Sequence, residues 1–291
     1  MTMKRFLQYF TLIVTFLLVN TLAQATVFNK INGLKYSIDT LKNEASLVAD
    51  SIKYSGNIVV PEKIAFNGKD YPVTSLGDHC FEFCSNLKTI NIPSSVKSLG
   101  NVCFLGSNKL TSIDIPSSVK SLGNGCFAQC FGLTSITVPS SLTSLSRSCF
   151  SDCLSLTSIT IPSSITSLGD YCFSFCPGIT SINIPSSVTS LGDYCFSDCL
   201  GLTSIDIPST VTSLGWGCFD DCENLTSIIF HIITSPEYLY SFKRYDPSIC
   251  KLYLPKKSID KYKFANERKN FLNVENYQEL VQRGDTAKCE V

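Results

Sequence analysis

The chain has 291 residues, with 24 basic against 24 acidic side chains, two histidines and 44% hydrophobic residues. So even a charge balance removes any electrostatic basis for binding nucleic acid, and no partner of that class is expected. The apolar content is ample for a large core.

Residues 1–25 read as a secretory signal peptide. Lys4 and Arg5 give a positive start, an apolar run spans Phe10 to Leu22, and Ala23-Gln24-Ala25 has the small-x-small cleavage pattern. The run is shorter than the roughly 20 residues a membrane helix needs, and no later stretch could span a membrane. The mature chain is expected to start near Thr26 and to be exported: secreted, held at the cell surface or periplasmic.

Residues 26–72 read as an N-terminal cap with a divergent first coil. Leu34-Lys-Tyr-Ser-Ile38 alternates as a strand does, and Asn67-Gly68 predicts a hairpin turn. Residues 73–230 hold seven copies of a 23-residue unit. Leu76, Leu99, Leu122, Leu145, Leu168, Leu191 and Leu214 mark one column; Phe81 to Phe219 and Ile90 to Ile228 mark two more at the same spacing. A fixed period of this length predicts stacked coils, a solenoid. Within each unit, Leu87-x-x-Ile90-x-Ile92 reads as a strand that Pro93 ends. Val96-x-x-Leu99-Gly100 reads as a second extended segment, with Gly100 permitting a tight turn. The Cys103-Phe104 segment reads as an irregular or short helical turn. Residues 231–279 are expected to form a C-terminal cap, with Leu252-Tyr-Leu-Pro255 copying the strand and a helix N-capped by Ser258 running over Tyr262 and Phe264. Residues 280–291 read as a tail.

The unit Ile-x-Ile-Pro-x-Ser-Val-x-Ser-Leu-Gly-x-x-Cys-Phe-x-x-Cys-x-x-Leu resembles the BspA-type leucine-rich repeat, strongly over residues 56–230. The resemblance implies an α/β-type repeat solenoid that is mostly β, with parallel strands stacked at 23 residues. It also implies an exported surface protein of anaerobic bacteria or mucosal protozoa, of a kind implicated in adhesion to host matrix proteins and other cells. It assigns no ligand residues. The family unit commonly has Ala-Phe where this chain has Cys103-Phe104.

Cys250 and Cys289 stand alone; the other 13 of the 15 cysteines fall into two columns. One is Cys80, Cys103, Cys126, Cys149, Cys172, Cys195 and Cys218; the other is Cys84, Cys130, Cys153, Cys176, Cys199 and Cys222, with Ser107 in its gap. Export would suggest disulfides. An odd column, a family Ala at the same place and an already complete apolar core favour small reduced core side chains instead. Extensive disulfides and a metal site are the alternatives; no histidine accompanies either column.

Candidate binding residues lie where columns vary. The outward strand positions are Asn91, Asp114, Thr137, Thr160, Asn183 and Asp206, on a hydroxyl-rich face. Between Gly and Cys, His79, Tyr171 and Tyr194 share a column, Trp216 lies in the adjoining one, and Asp170 and Asp193 flank the tyrosines. Grouped edge aromatics suit an interface. The competing interpretations are a solvated strand face and rings that merely cover a turn. Arg283-Gly284-Asp285 and the sequon Asn224-Leu225-Thr226 are short matches of low weight. His79 and His231 lie in different coils, and neither aligns with a serine or cysteine it could activate. The expectation is therefore a non-catalytic protein without cofactor, binding a protein or glycan. A self-associating structural component is the alternative, and a hydrolase ranks below it.

Overall fold

In a computed structural model, the described residues are 26–231, 250–259 and 274–276. Residues 1–25, 232–249, 260–273 and 277–291 lie outside that set, and with them the expected signal peptide, the expected helix over Tyr262 and Phe264 and the Arg-Gly-Asp tripeptide. The N-terminal end is an antiparallel meander, β1 (Thr26–Ile31), β2 (Leu34–Asp39) and β3 (Glu44–Leu47). Asn32 and Gly33, both at positive φ, make its first turn. After β4 (Gly56–Val59) comes a hairpin of β5 (Lys63–Phe66) and β6 (Lys69–Leu76). It turns on Asn67 and Gly68 at φ 49° and 74°, as the sequence predicts.

From β6 onward each coil has three sides. The first is a ladder of Ser-Leu pairs, parallel and in register: Ser75↔Ser98, Ser98↔Ser121, then Ser144↔Ser167, Ser167↔Ser190 and Ser190↔Ser213. The third is the Ile-x-Ile strand, with Ile58 of β4 opposite Ile90 of β7 (Leu87–Asn91), then Ile136↔Ile159 and Ile205↔Ile228. Lys251–Leu254 and Val274–Asn276 continue that ladder past the repeats. The second side, the Cys-Phe segment, is neither strand nor helix. It is a run of turns in which alternate N–H groups donate to the next coil, as from Phe81 to Cys103 and from Phe104 to Cys126. Each coil holds two residues there at positive φ, among them Tyr171 and Phe175, then Tyr194 and Asp198. The described elements are strands and one 3-10 turn, Lys256–Ser258; Ser258 ends that turn just before the helical Ile259, and the helix it is expected to cap lies outside the described residues. The α part of the α/β-type expectation thus has no counterpart among the described residues; the coil is built from strands and turns.

The glycine after the Ser-Leu pair, present in every repeat but the one that carries Ser146, has a different cause from the predicted tight turn. Gly100 is not at positive φ; a Cβ there would sit 2.4 Å from the Asp78 backbone nitrogen. At Gly100, Gly123, Gly192 and Gly215 the preceding coil approaches too closely for a side chain, whereas Ser146 takes the same place in its own coil and donates its hydroxyl to the Leu122 carbonyl.

The core is one column-by-column stack. Phe81, Phe104, Phe127, Phe150, Phe173, Phe196 and Phe219 lie ring on ring, 5.1–5.5 Å apart and within 8° of parallel. Each offset pair adds about 0.5–1.5 kcal/mol beyond its buried area. Tyr54 closes the N-terminal end, 5.2 Å from the Phe81 ring. Its hydroxyl donates to the Val48 carbonyl and accepts from the Lys35 N–H, so no polar atom is stranded.

All fourteen cysteines among the described residues are free and buried. The second column forms a donor ladder. Cys130, Cys153, Cys176, Cys199 and Cys222 direct their thiols at the carbonyls of Phe104, Phe127, Phe150, Phe173 and Phe196, at 3.1–3.2 Å. Ser107 fills the gap because its hydroxyl donates to the Phe81 carbonyl in the same way, at 2.9 Å. Ser107→Cys is therefore expected to leave the denaturant midpoint nearly unchanged. Ser107→Ala, which deletes a buried donor, should cost about 1 kcal/mol.

Burial also makes the fold alkali-sensitive. It lifts Cys130, Cys176 and Cys222 from the ordinary thiol value of 9.0 to about 12. Between those values the unfolded chain has released protons that the folded chain keeps. Stability is therefore whole below pH ~8.5 and falls by about 1.4 kcal/mol per pH unit for each such thiol as pH rises toward 12. Urea midpoints under reducing conditions should be flat to pH ~8.5 and collapse by pH ~10. A profile level to pH 11 would show that the thiols titrate freely in the folded state.

Candidate binding edges

Two corners of the coil carry side chains that the stacking does not consume. The first lies between the Ser-Leu ladder and the Cys-Phe side. Here Tyr171 and Tyr194, one coil apart, stack at 5.0 Å with their planes 17° apart. Trp216 meets Tyr194 edge-on, at 5.0 Å and 81°, and is 41% exposed. Arg147 places its guanidinium 5.4 Å from the centre of the Tyr171 ring, a cation–π contact the sequence pattern did not suggest. Four successive coils thus present Arg147, Tyr171, Tyr194 and Trp216 as one row.

Asp170 and Asp193, predicted as ligand-facing, have a structural task. The Asp193 N–H donates to Asp170 Oδ1 at 3.0 Å, and the Trp216 N–H donates to Asp193 Oδ1 at 2.8 Å. The same column does this earlier, from Asn101 to Asp78 and from Asn124 to Asn101. A short acceptor side chain at this position satisfies a backbone donor one coil on, so the pair positions the aromatic row.

The predicted strand-face residues are not brought to this corner. Asn91, Asp114 and Asn183 stand exposed on the Ile-x-Ile side. Asp206, half-buried, has Oδ1 2.8 Å from His231 Nε2 and is engaged inside the protein. Many hydroxyls of this side are engaged as well: Thr134, Thr157, Thr203 and Thr226 each donate to the carbonyl of the threonine one coil before.

Sequence reasoning passed over the second corner, between the Cys-Phe side and the Ile-x-Ile side. Phe131, Leu154, Pro177 and Leu200 occupy one column in four successive coils, where the earlier coils have Ser85 and Asn108. Phe131, Leu154 and Leu200 are 39%, 47% and 41% exposed, and Phe175 beside them is 49% exposed. The signal was available as a variable column that turns apolar in consecutive repeats.

Among the described residues, no group of three or more His, Cys, Asp or Glu is arranged to hold a metal ion, and no helix is long and apolar enough to cross a membrane.

Comparison with known proteins matches this geometry. The BspA type leucine rich repeat region, in six copies, matches residues 62–180 and 166–283. The chain belongs to the BspA-type leucine-rich repeat family. A leucine-rich repeat protein of T. pallidum is 22% identical, with 84% of this chain and 100% of that chain covered and a TM-score of 0.55. One from Eubacterium ventriosum is 24% identical, with 72% and 52% covered and a TM-score of 0.56. Both likenesses concern the leucine-rich repeat fold. Among curated proteins, no sequence matches.

Trp216 is the single tryptophan, so its emission reports on the aromatic row. Asp193→Ala removes the acceptor for the Trp216 N–H. It should shift the emission to the red, raise iodide quenching and cost about 1 kcal/mol of stability. Asp193→Asn keeps an acceptor oxygen and should retain the native spectrum. Identical spectra for both variants would mean that the Asp193 carboxylate does not position the row.

Proposed function

We propose that this BspA-type protein is an exported, non-catalytic solenoid that binds a protein ligand along the row of Arg147, Tyr171, Tyr194 and Trp216. Attachment to host matrix or to another cell is the role this suits. The observation that carries the proposal is the row itself: three aromatic rings and a guanidinium at one corner, held in register by ladder bonds. Aromatic and arginine side chains on a rigid frame lose little entropy on binding and are typical interface anchors. The leader-like residues 1–25 support export.

The ring geometry favours protein over glycan. A sugar stacks on a free ring face. Tyr171 has Arg147 on one face and Tyr194 on the other, and Tyr194 is flanked by Tyr171 and Trp216. What remains outward is ring edges, hydroxyls and the exposed indole, which suit peptide groups and side chains better than a pyranose.

The variants that test this are set by the columns themselves. Gly217 stands one coil after Tyr194 at φ 59°, and Tyr171 and Tyr194 sit at φ 56° and 54°, so glycine fits their backbone without strain. Asn101 and Asn124 share the Trp216 column. The triple variant Tyr171→Gly, Tyr194→Gly, Trp216→Asn should keep its thermal midpoint within a few degrees and weaken binding to immobilised matrix proteins at least tenfold. Unchanged binding in the folded variant would remove this corner as the site.

A further inference from the structure

The second corner carries an inference independent of the first. Phe131, Leu154 and Leu200 project from backbone held tightly in place. The N–H of each donates two residues back, to Gln129, Asp152 and Asp198 respectively, at 2.9 Å. Pro177, in the same column, is rigid by its ring. The apolar groups are therefore fixed points, one per coil, in coils whose core phenylalanine rings succeed one another with a rise of 5.2–5.5 Å.

That rise is the pitch of an α-helix, 5.4 Å. A helix laid parallel to the solenoid axis would bring one apolar residue per turn onto one apolar side chain per coil, without drifting out of phase. An extended strand would not match, because residues on one of its faces recur at about 6.7 Å. The border of the stripe is acidic: Asp152 and Asp198 flank it on the Cys-Phe side, and Asp221 and Glu223 close its C-terminal end. Lys109, near the other end, is directed to Asn86 Oδ1 at 2.7 Å. Gly132, Gly178 and Gly201 follow three of these positions because the preceding coil packs against them: a Cβ would lie 2.2 Å from the Asn108 carbonyl oxygen, 2.7 Å from that of Leu156 and 2.2 Å from that of Pro177.

We propose that the stripe of Phe131, Leu154, Pro177 and Leu200, with Phe175, is a docking surface for a basic amphipathic helix of a partner protein. The apolar face of that helix would lie on the stripe and its lysines or arginines toward Asp152 and Asp198. Matched spacing supplies register, and the acidic border supplies orientation and partner choice.

The test uses the full chain and a labelled helical peptide of about four turns, with leucine at i, i+4, i+7 and i+11 on an alanine background and lysine on both flanks. A second peptide carries glutamate in place of lysine. Fluorescence anisotropy should show saturable binding of the lysine peptide, at least tenfold tighter than the glutamate peptide and weakened by salt. Leu154→Gln with Leu200→Gln should weaken it at least tenfold. Asp152→Asn with Asp198→Asn, which keeps residues tolerant of positive φ, should narrow the gap between the two peptides. The triple variant of the aromatic row should bind the lysine peptide as the wild type does, so failure of one corner is distinct from failure of the other. No saturable binding, equal affinity for both peptides, or wild-type affinity in the folded Leu154→Gln, Leu200→Gln variant would overturn the proposal. So would loss of self-association in that variant, which would make a second copy the occupant, or capture by lipid vesicles, which would make it a membrane.

Discussion

Every side chain in the repeats must tolerate the residue that takes its place one coil on, which in the phenylalanine column lies 5.1–5.5 Å away. That single spacing decides which residues each column accepts. Phenylalanine accepts it because parallel offset rings sit comfortably at this distance. Thiols accept it because a neutral, polarizable sulfur packs as a small apolar group and still donates weakly to a carbonyl. Glycine suits the place where two backbones meet: a Cβ on Gly192 would lie 2.4 Å from the Asp170 nitrogen. Carboxylates repeated in a column would repel. Asp170 and Asp193 coexist because a backbone N–H of the following coil is bound between them.

The same spacing separates scaffold from surface. Each side of the coil satisfies its backbone groups through the next coil, and many side-chain hydroxyls are used in the same way. Ser118 donates to the Val96 carbonyl, Ser187 to that of Ile165 and Thr189 to that of Thr166. Part of the serine- and threonine-rich composition is therefore internal wiring. The side chains left to address a partner gather at the corners, where the chain turns and its columns are free to vary. One corner became aromatic and the other apolar, in overlapping sets of coils.

The period, the strand positions, the hairpin at Asn67-Gly68 and the buried cysteine columns were all legible in the sequence, because each leaves a mark along the chain. What stayed hidden lies across the stack. Gly100 looks like a turn glycine until the preceding coil is seen against it. The Trp216 N–H on the Asp193 carboxylate and the His231 ring beside Asp206 are likewise contacts between coils that leave no mark along the chain. Nothing in residues 48–60 announces that Tyr54 will end the phenylalanine stack. The stripe at Phe131, Leu154 and Leu200 escaped for another reason. Apolar residues in a repeat are assumed to be core, and only the coil path shows that this column points outward.

The aromatic corner also shows how such a surface can change without disturbing the fold. A non-glycine residue in the left-handed region costs about 1–2 kcal/mol. A stacked ring pair returns about 0.5–1.5 kcal/mol and a cation over a ring about 0.5–1 kcal/mol. Tyr171, stacked on Tyr194 and covered by Arg147, is thus close to neutral against the glycine that occupies position 217. Histidine, valine, glycine, serine and tyrosine all occur in that column, at positions 79, 102, 125, 148 and 171. Where exchange is nearly free for stability, identity is left to be set by what the edge contacts. A run of two tyrosines, capped by an arginine on one side and a tryptophan on the other, is a composition that stability alone does not call for.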